Sequence, residues 1–281
     1  MAGEAKSKAA GGSPTTIGEP TIARVWDALL GGKDNFAGDR DLVKRARAIH
    51  PEVAGLAWAI HDFRKRAVAQ LAGPGRIDQF IECGPGLPTS DQNTHAVAQR
   101  INPEARVLYV DRDRHVVTHA RALLATNELV RVIDADPLDA AGIRKHPELE
   151  DFIDWNRPIA MVNTVLLLFA AGQDRGPSEF LTQYLPELVN GSHLVLAFFA
   201  TPQDEPPASL SELSDLFTSS RLGGGQFLPV PEIAAVLEGL VIPEPGLTFC
   251  DLWWPDDSID EPSRDSIRRC AVGVVAQQQS A

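Results

Sequence analysis

The chain has 281 residues, 44% of them apolar, and a formal net charge of −12. It is long enough for one large α/β domain with an extension, and apolar enough for a sizeable core. So acidic a field repels phosphate backbones and anionic lipid, which sets nucleic acid and membrane aside as partners.

The three cysteines, Cys83, Cys250 and Cys270, are odd in number and far apart. That spacing offers neither a disulfide framework nor a metal site, and it fits a reducing cytoplasm. Apolar runs reach about nine residues, too short to span a bilayer. Residues 1–18 have no apolar signal region and read as a disordered tail rich in Ala, Gly, Ser and Lys.

An amphipathic helix is predicted over residues 22–30, ended by Gly31-Gly32. A polar loop follows, Lys33-Asp34-Asn35, tipped by Phe36. Asp39 is placed to cap a second helix that runs to Ile49. Pro51 opens a third, with Val53, Leu56, Ile60, Phe63, Ala67 and Leu71 at helical spacing. Its Arg64-Lys65-Arg66 run reads as the solvated face. Residues 19–74 thus form a helical extension with no strand signal.

After residue 75 the pattern alternates. Strands are predicted over 77–82, 106–110, 130–134, 159–166 and 193–199, with helices over 89–100, 114–126, 138–145 and 177–188. This rhythm predicts an α/β domain over residues 75–281, a mostly parallel sheet with helices on both faces. A helix over 209–218 follows a Pro-rich loop. Arg221 and the glycines at 223–225 read as a flexible break. After a further helix over 231–240, late strands over 247–254 and 269–276 are expected as an antiparallel pair on the sheet edge.

Residues 77–89, IDQFIECGPGLPT, carry the chemistry. A strand ends in Glu82 and breaks into the turn Gly84-Pro85-Gly86. Such a turn lets a ligand approach the backbone, next to an electropositive helix start. The next strand ends in Asp111, which can accept hydrogen bonds from ribose hydroxyls. The turn by itself is weak evidence, since many tight turns hold nothing. With Asp111 it points to a nucleoside-containing cofactor. A nicotinamide enzyme is the lesser reading, because Pro88-Thr89 stands where its third glycine belongs.

Three blocks, in order, resemble an actinobacterial S-adenosylmethionine-dependent methyltransferase family. Arg24-Val25-Trp26-Asp27-Ala28-Leu29-Leu30-Gly31-Gly32-Lys33-Asp34-Asn35-Phe36 is similar to its R-V-[YW]-D-x-L-L-G-G-K-D-N-F signature. Phe80-Ile81-Glu82-Cys83-Gly84-Pro85-Gly86-Leu87-Pro88-Thr89 resembles F-L-D-I-G-T-G-L-P-T. Val107-Leu108-Tyr109-Val110-Asp111, continued by His119-Ala120-Arg121-Ala122-Leu123-Leu124, resembles a third block. The resemblance implies a class I, Rossmann-like methyltransferase sheet, S-adenosylmethionine as cofactor and no metal.

It also implies roles. Gly84 and Gly86 lie against the methionine and ribose, Asp111 takes the ribose hydroxyls, and Arg112 flanks the adenine. Glu82 orders the turn or reaches the ammonium. Asp134 and the Ala135 amide face the adenine amino group, Asp136 being as well a helix cap. Asn163 sits near the transferring methyl or is a buried structural Asn. The loop Gly32, Lys33, Asp34, Asn35 is expected as a lid, with Lys33 on the methionine carboxylate. By their position in the helical extension that would cover the substrate, not by resemblance, His50 and His61 are the candidate general bases, with a non-functional role as the commoner reading for each, and His119, His146 and His193 read as packing or surface residues. Trp26, Trp58, Phe36, Trp253 and Trp254 line a pocket or are plain core. The acceptor is expected to be a small aromatic or heterocyclic metabolite, of secondary metabolism, methylated at N, O or C. The rival is a catalytically silent cofactor-binding protein, motivated by Pro85 and by His61-Asp62, where the family pattern differs. Homo-oligomers are common among soluble enzymes, and a homodimer is the expectation on that ground alone.

Overall fold

The computed structural model describes residues 18–89, 92–170, 176–203, 206–254 and 266–278. The expected tail lies outside the described residues apart from Gly18, as does most of the polar loop before the last strand. Three helices come first: α1 (Ile22–Leu29), α2 (Ala37–Ile49) and α3 (Ala54–Ala72). Then β1 (Gln79–Cys83), α4 (Thr94–Ile101), β2 (Arg106–Asp111), α5 (Arg114–Leu123), β3 (Val130–Asp134) and α6 (Ala140–Arg144) alternate. They are followed by β4 (Ala160–Asn163), α7 (Leu166–Ala170), α8 (Pro177–Tyr184), β5 (His193–Thr201) and α9 (Ser209–Ser219). The chain closes with β6 (Leu228–Pro229), α10 (Val230–Val236), β7 (Thr248–Phe249) and β8 (Ala271–Gln277).

The sheet runs β3-β2-β1-β4-β5-β8-β7, with β6 beside the end of β5. The first five strands are parallel. β8 is antiparallel to β5 from His193↔Gln277 to Phe199↔Ala271, and β7 is antiparallel to β8. The class I methyltransferase-type sheet with an antiparallel edge pair is therefore present, with helices around it.

Successive strand residues point to opposite faces, and both faces are covered. Phe80, Val107, Tyr109, Val162 and Val195 join one core with α1 to α5 and α9. Ile81, Leu108, Val110, Met161 and Leu196 join a second with α6, α8 and α10. The opening helices share the first core with the sheet. α3 runs through it: the Phe63 ring meets Trp253 edge on at 5.3 Å, and Arg66 donates to the carbonyls of Cys250 and Trp253 at 2.6 and 3.0 Å.

Several expectations need correction. β4 ends at Asn163, not at residue 166, and the Leu-Leu-Leu-Phe run after it is helical. A short apolar run fits a buried strand and a buried helix equally well, so period cannot separate them. β7 keeps two residues of the eight predicted, because the chain turns into a 3-10 turn at Cys250–Leu252. Asp39 does cap α2, from the third helical position rather than as the N-cap residue, by accepting the N–H of the N-cap residue Phe36. It sits in the first turn, wholly buried, and accepts from Phe36 N–H, Thr21 N–H and Arg24 Nε at 2.8, 3.1 and 2.8 Å. Arg64 is not solvated: it is 7% exposed, one turn past Ile60 on the core side of α3.

Candidate active site

Between β1 and β4 the strand order reverses, and open α/β sheets bind ligands in the crevice formed there. A cleft of about 650 Å³ occupies that place. Gly84, Pro85 and Gly86 supply one wall, with Asp111, Pro137 and Leu138 beyond. Opposite stand the segment before α1, Trp26, the residues from Val165 into α7, and Arg221 with Leu222.

Gly84 and Gly86 have φ of +67° and +69°, the region glycine alone enters at little cost. Gly84 N–H donates to Val110 O at 2.9 Å, which ties the turn to the tip of β2. A Cβ on Gly86 would meet nothing within 4 Å, so that stretch of backbone faces open space. Asp111 accepts Asp113 N–H at 2.9 Å, and its oxygens keep further lone pairs. Burial lifts its carboxyl to about 6, against the pull of the neighbouring main-chain N–H groups.

The cleft has an inner end of about 20 Å³, room for roughly one water, which shares Trp26, Pro85 and Val165 with it. Asp27, His61, Arg64, Glu82 and Thr164 surround this hollow. Arg64 donates to Glu82 Oε1 at 2.8 Å and to Gln92 O at 3.0 Å, and lies 3.4 Å from His61 Nδ1. Glu82 Oε2 is buried without a partner among the described residues. A buried carboxylate oxygen left unpaired is costly, and it marks a place where a donor is wanted.

Arginine can only donate, so His61 Nδ1 accepts, and Nε2, 2.8 Å from Gln92 Oε1, carries the proton. Burial, and then the Arg64 charge, hold the imidazole down at about 4. His61 is thus a neutral ring with both nitrogens engaged. His50 ends α2 and lines neither the cleft nor its inner end. Asn163 is fully buried. Its Oδ1 accepts Leu167 N–H at 3.3 Å, and Thr164 and Val165 line the cavities in its stead.

The loop of Gly32, Lys33, Asp34 and Asn35 does not line the cleft either. Lys33 and Asp34 are exposed, and Gly32 and Asn35 border a separate hollow of about 250 Å³ beside α2. Asn35 Nδ2 donates to Asp27 Oδ2 at 2.7 Å, and Asn35 O and Oδ1 accept from Arg40. Among the described residues the loop reaches the site through Asp27, whose pKa burial raises. At β3, Asp134 is exposed and the Ala135 N–H is taken by Asp111 O at 3.1 Å. Pro137 and Leu138 line the cleft where those two were expected. Asp136 accepts Leu138 N–H at 3.0 Å, and Arg112, 3.9 Å from Asp136, does border the cleft.

The structure thus brings together His61, Glu82, Gly84, Gly86, Asp111 and Arg112 of the expected set. Sequence reasoning missed Arg64, Leu138, Phe169 and Arg221. The signal for Arg64 was present, since it falls with Ile60, Ala67 and Leu71 on one helical stripe.

A doubly wound sheet in this order, with a glycine turn and an acidic strand tip facing its switch point, defines a nucleoside-cofactor enzyme of the methyltransferase class. The chain belongs to the S-adenosyl methyltransferase family, whose profile matches residues 10–279. A crystal structure of a candidate methyltransferase from Thermobifida fusca is 36% identical, with a TM-score of 0.84 over 94% of this chain and 97% of that one. A DUF574 family protein from Streptomyces avermitilis is 30% identical, with a TM-score of 0.83 over 92% and 97%. An O-methyltransferase family protein from Burkholderia thailandensis shares the fold at 18% identity, with a TM-score of 0.50 over 82% and 61%. Comparison with curated proteins finds no match. The protein is a methyltransferase that uses S-adenosylmethionine. No helix among the described residues is long and apolar enough to cross a membrane.

Proposed function

We propose that the enzyme methylates a small aromatic or heterocyclic metabolite at N, O or C. The observation that carries this is the cleft itself. Its volume of about 650 Å³ is shared by cofactor and acceptor, which leaves room for a small acceptor only, and Trp26, Val165, Phe169 and Leu222 give the side opposite the glycine turn an apolar lining. The net charge of −12 argues against a nucleic-acid acceptor and accords with a cytoplasmic, membrane-free protein.

The cofactor fits the residues present: an unpaired buried oxygen on Glu82, an open glycine backbone and a strand-tip carboxylate. Asp111 is assigned the ribose hydroxyls, and Leu138 with Arg112 the adenine edges. Glu82 and Asp27 are assigned the ammonium, and Arg64 the methionine carboxylate. When bound, the cofactor supplies a methyl group already activated on a sulfonium, so alignment and water exclusion are most of the task. The helices of residues 19–74 act as the cover that excludes water, and the Gly32–Asn35 loop holds Asp27 in place beneath it. His61 and His50 are not assigned proton transfer.

Titration with S-adenosylhomocysteine tests the cofactor half. Incubation with labelled methyl donor and a metabolite extract tests the acceptor half, read by mass spectrometry as a gain of one methylene in the small-molecule fraction. Label found only in macromolecules would overturn the acceptor reading.

A further inference from the structure

The glycines at 223–225 are not a flexible break. Gly225 N–H donates to Leu168 O at 3.1 Å. A Cβ on Gly224 would fall 2.0 Å from the Phe169 carbonyl oxygen, a main-chain atom that cannot step aside. The loop after α9 is thus packed backbone to backbone on α7. Leu222 is buried by that packing, and Arg221 is set at the cleft.

On this side of the cleft Trp26 and Phe169 meet edge to face at 6.4 Å. Among the described lining residues, its charged groups are Glu19 and Arg221. Asp111, Arg112 and Asp113 belong to the β2 corner. Arg221 Nη2 donates to Glu19 Oε1 at 2.6 Å, and the two side chains are 68% and 38% exposed. An exposed pair of this kind contributes little and opens readily. It engages one donor of a guanidinium that has about five, in a fork matched to carboxylates. The histidine at the inner end of the cleft, His61, has both ring nitrogens engaged, so it offers this side no charged partner.

We infer that Arg221 is the specificity-determining residue of the acceptor side, and that the acceptor is a flat aromatic acid whose carboxylate docks on Arg221 while its ring lies against Trp26 and Phe169. This rests on the cleft being the methyl-acceptor site. Docking exchanges one partner of Arg221 for another: the carboxylate takes the guanidinium, and Glu19 returns to water.

The test is calorimetry on protein saturated with S-adenosylhomocysteine, using benzoate, salicylate and anthranilate, each beside its primary amide. At least one acid is expected to bind about tenfold tighter than its amide. Arg221→Gln should abolish the preference, and Arg221→Lys should restore part of it. Glu19→Gln should tighten the acid several-fold, because the competing carboxylate is gone. Failure of S-adenosylhomocysteine itself to bind would strike the methyltransferase cleft. If it binds but no acid does, or acids and amides bind alike, or the preference survives Arg221→Gln, the assignment of Arg221 is overturned.

Discussion

Two buried arginine–carboxylate pairs draw their arginines from the opening helices, and they differ in one respect. Asp39, paired with Arg24, receives three donors from three residues. Glu82, paired with Arg64, has one oxygen engaged and one without a partner among the described residues. The first pair is saturated and fastens α1 to α2. The second is half open and faces a cavity. A buried charge whose bonds are complete holds a fold, whereas one left incomplete waits for a ligand.

Substitution should separate the two. Asp39→Ala strands Arg24 without its partner and should cost about 3–5 kcal/mol in urea unfolding. A loss under about 1 kcal/mol would show the saturated pair to be dispensable. Glu82→Gln keeps the shape and should change stability less. It should weaken S-adenosylhomocysteine by about tenfold or more, the worth of a charge-assisted bond. Should Glu82→Gln destabilise as Asp39→Ala does and leave affinity intact, the comparison collapses.

Acidity sharpens it further. The Asp111 carboxyl in the fold titrates at about 6, above its ordinary 3.8. The folded form holds that proton more tightly, so this group's contribution to stability is full below about pH 4 and is lost as pH rises through 6. Ribose hydroxyls favour the ionised form, so affinity runs the other way. The dissociation constant for S-adenosylhomocysteine should climb as pH falls below 6, by up to about tenfold per unit, and Asp111→Asn should flatten the curve. The smallest effect is expected at Lys33. It is exposed and off the cleft, and Lys33→Ala should shift affinity by less than about twofold, against the lid role its sequence setting suggested.

The sheet was legible because each strand tip carries its own signal. β3 matches its predicted bounds, and Glu82, Gly84, Gly86 and Asp111 lie within short motifs whose meaning is local. The misread site residues turn on contacts that their own motifs do not encode. Lys33, Asp34 and Asn35 looked like ligands because the loop is polar and glycine-started. What it holds is Asp27, eight residues before Asn35 in a neighbouring turn of chain. Ala135 looked like a free amide, but the adjacent strand takes it. The glycines at 223–225 looked loose because nothing in sequence announces a helix pressed against them.

The anchorage of α3 has a consequence for biosynthesis. The helix that carries Arg64 to Glu82 is seated on residues near the far end of the chain: Arg66 bonds the carbonyls of Cys250 and Trp253, and the Phe63 ring lies where a side chain on Gly273 would go. Loop closure over some two hundred residues comes late on the ribosome. A nascent chain can assemble the glycine turn and Asp111 early, yet the helix that sets Arg64 against Glu82 is seated only after the last strand has been translated.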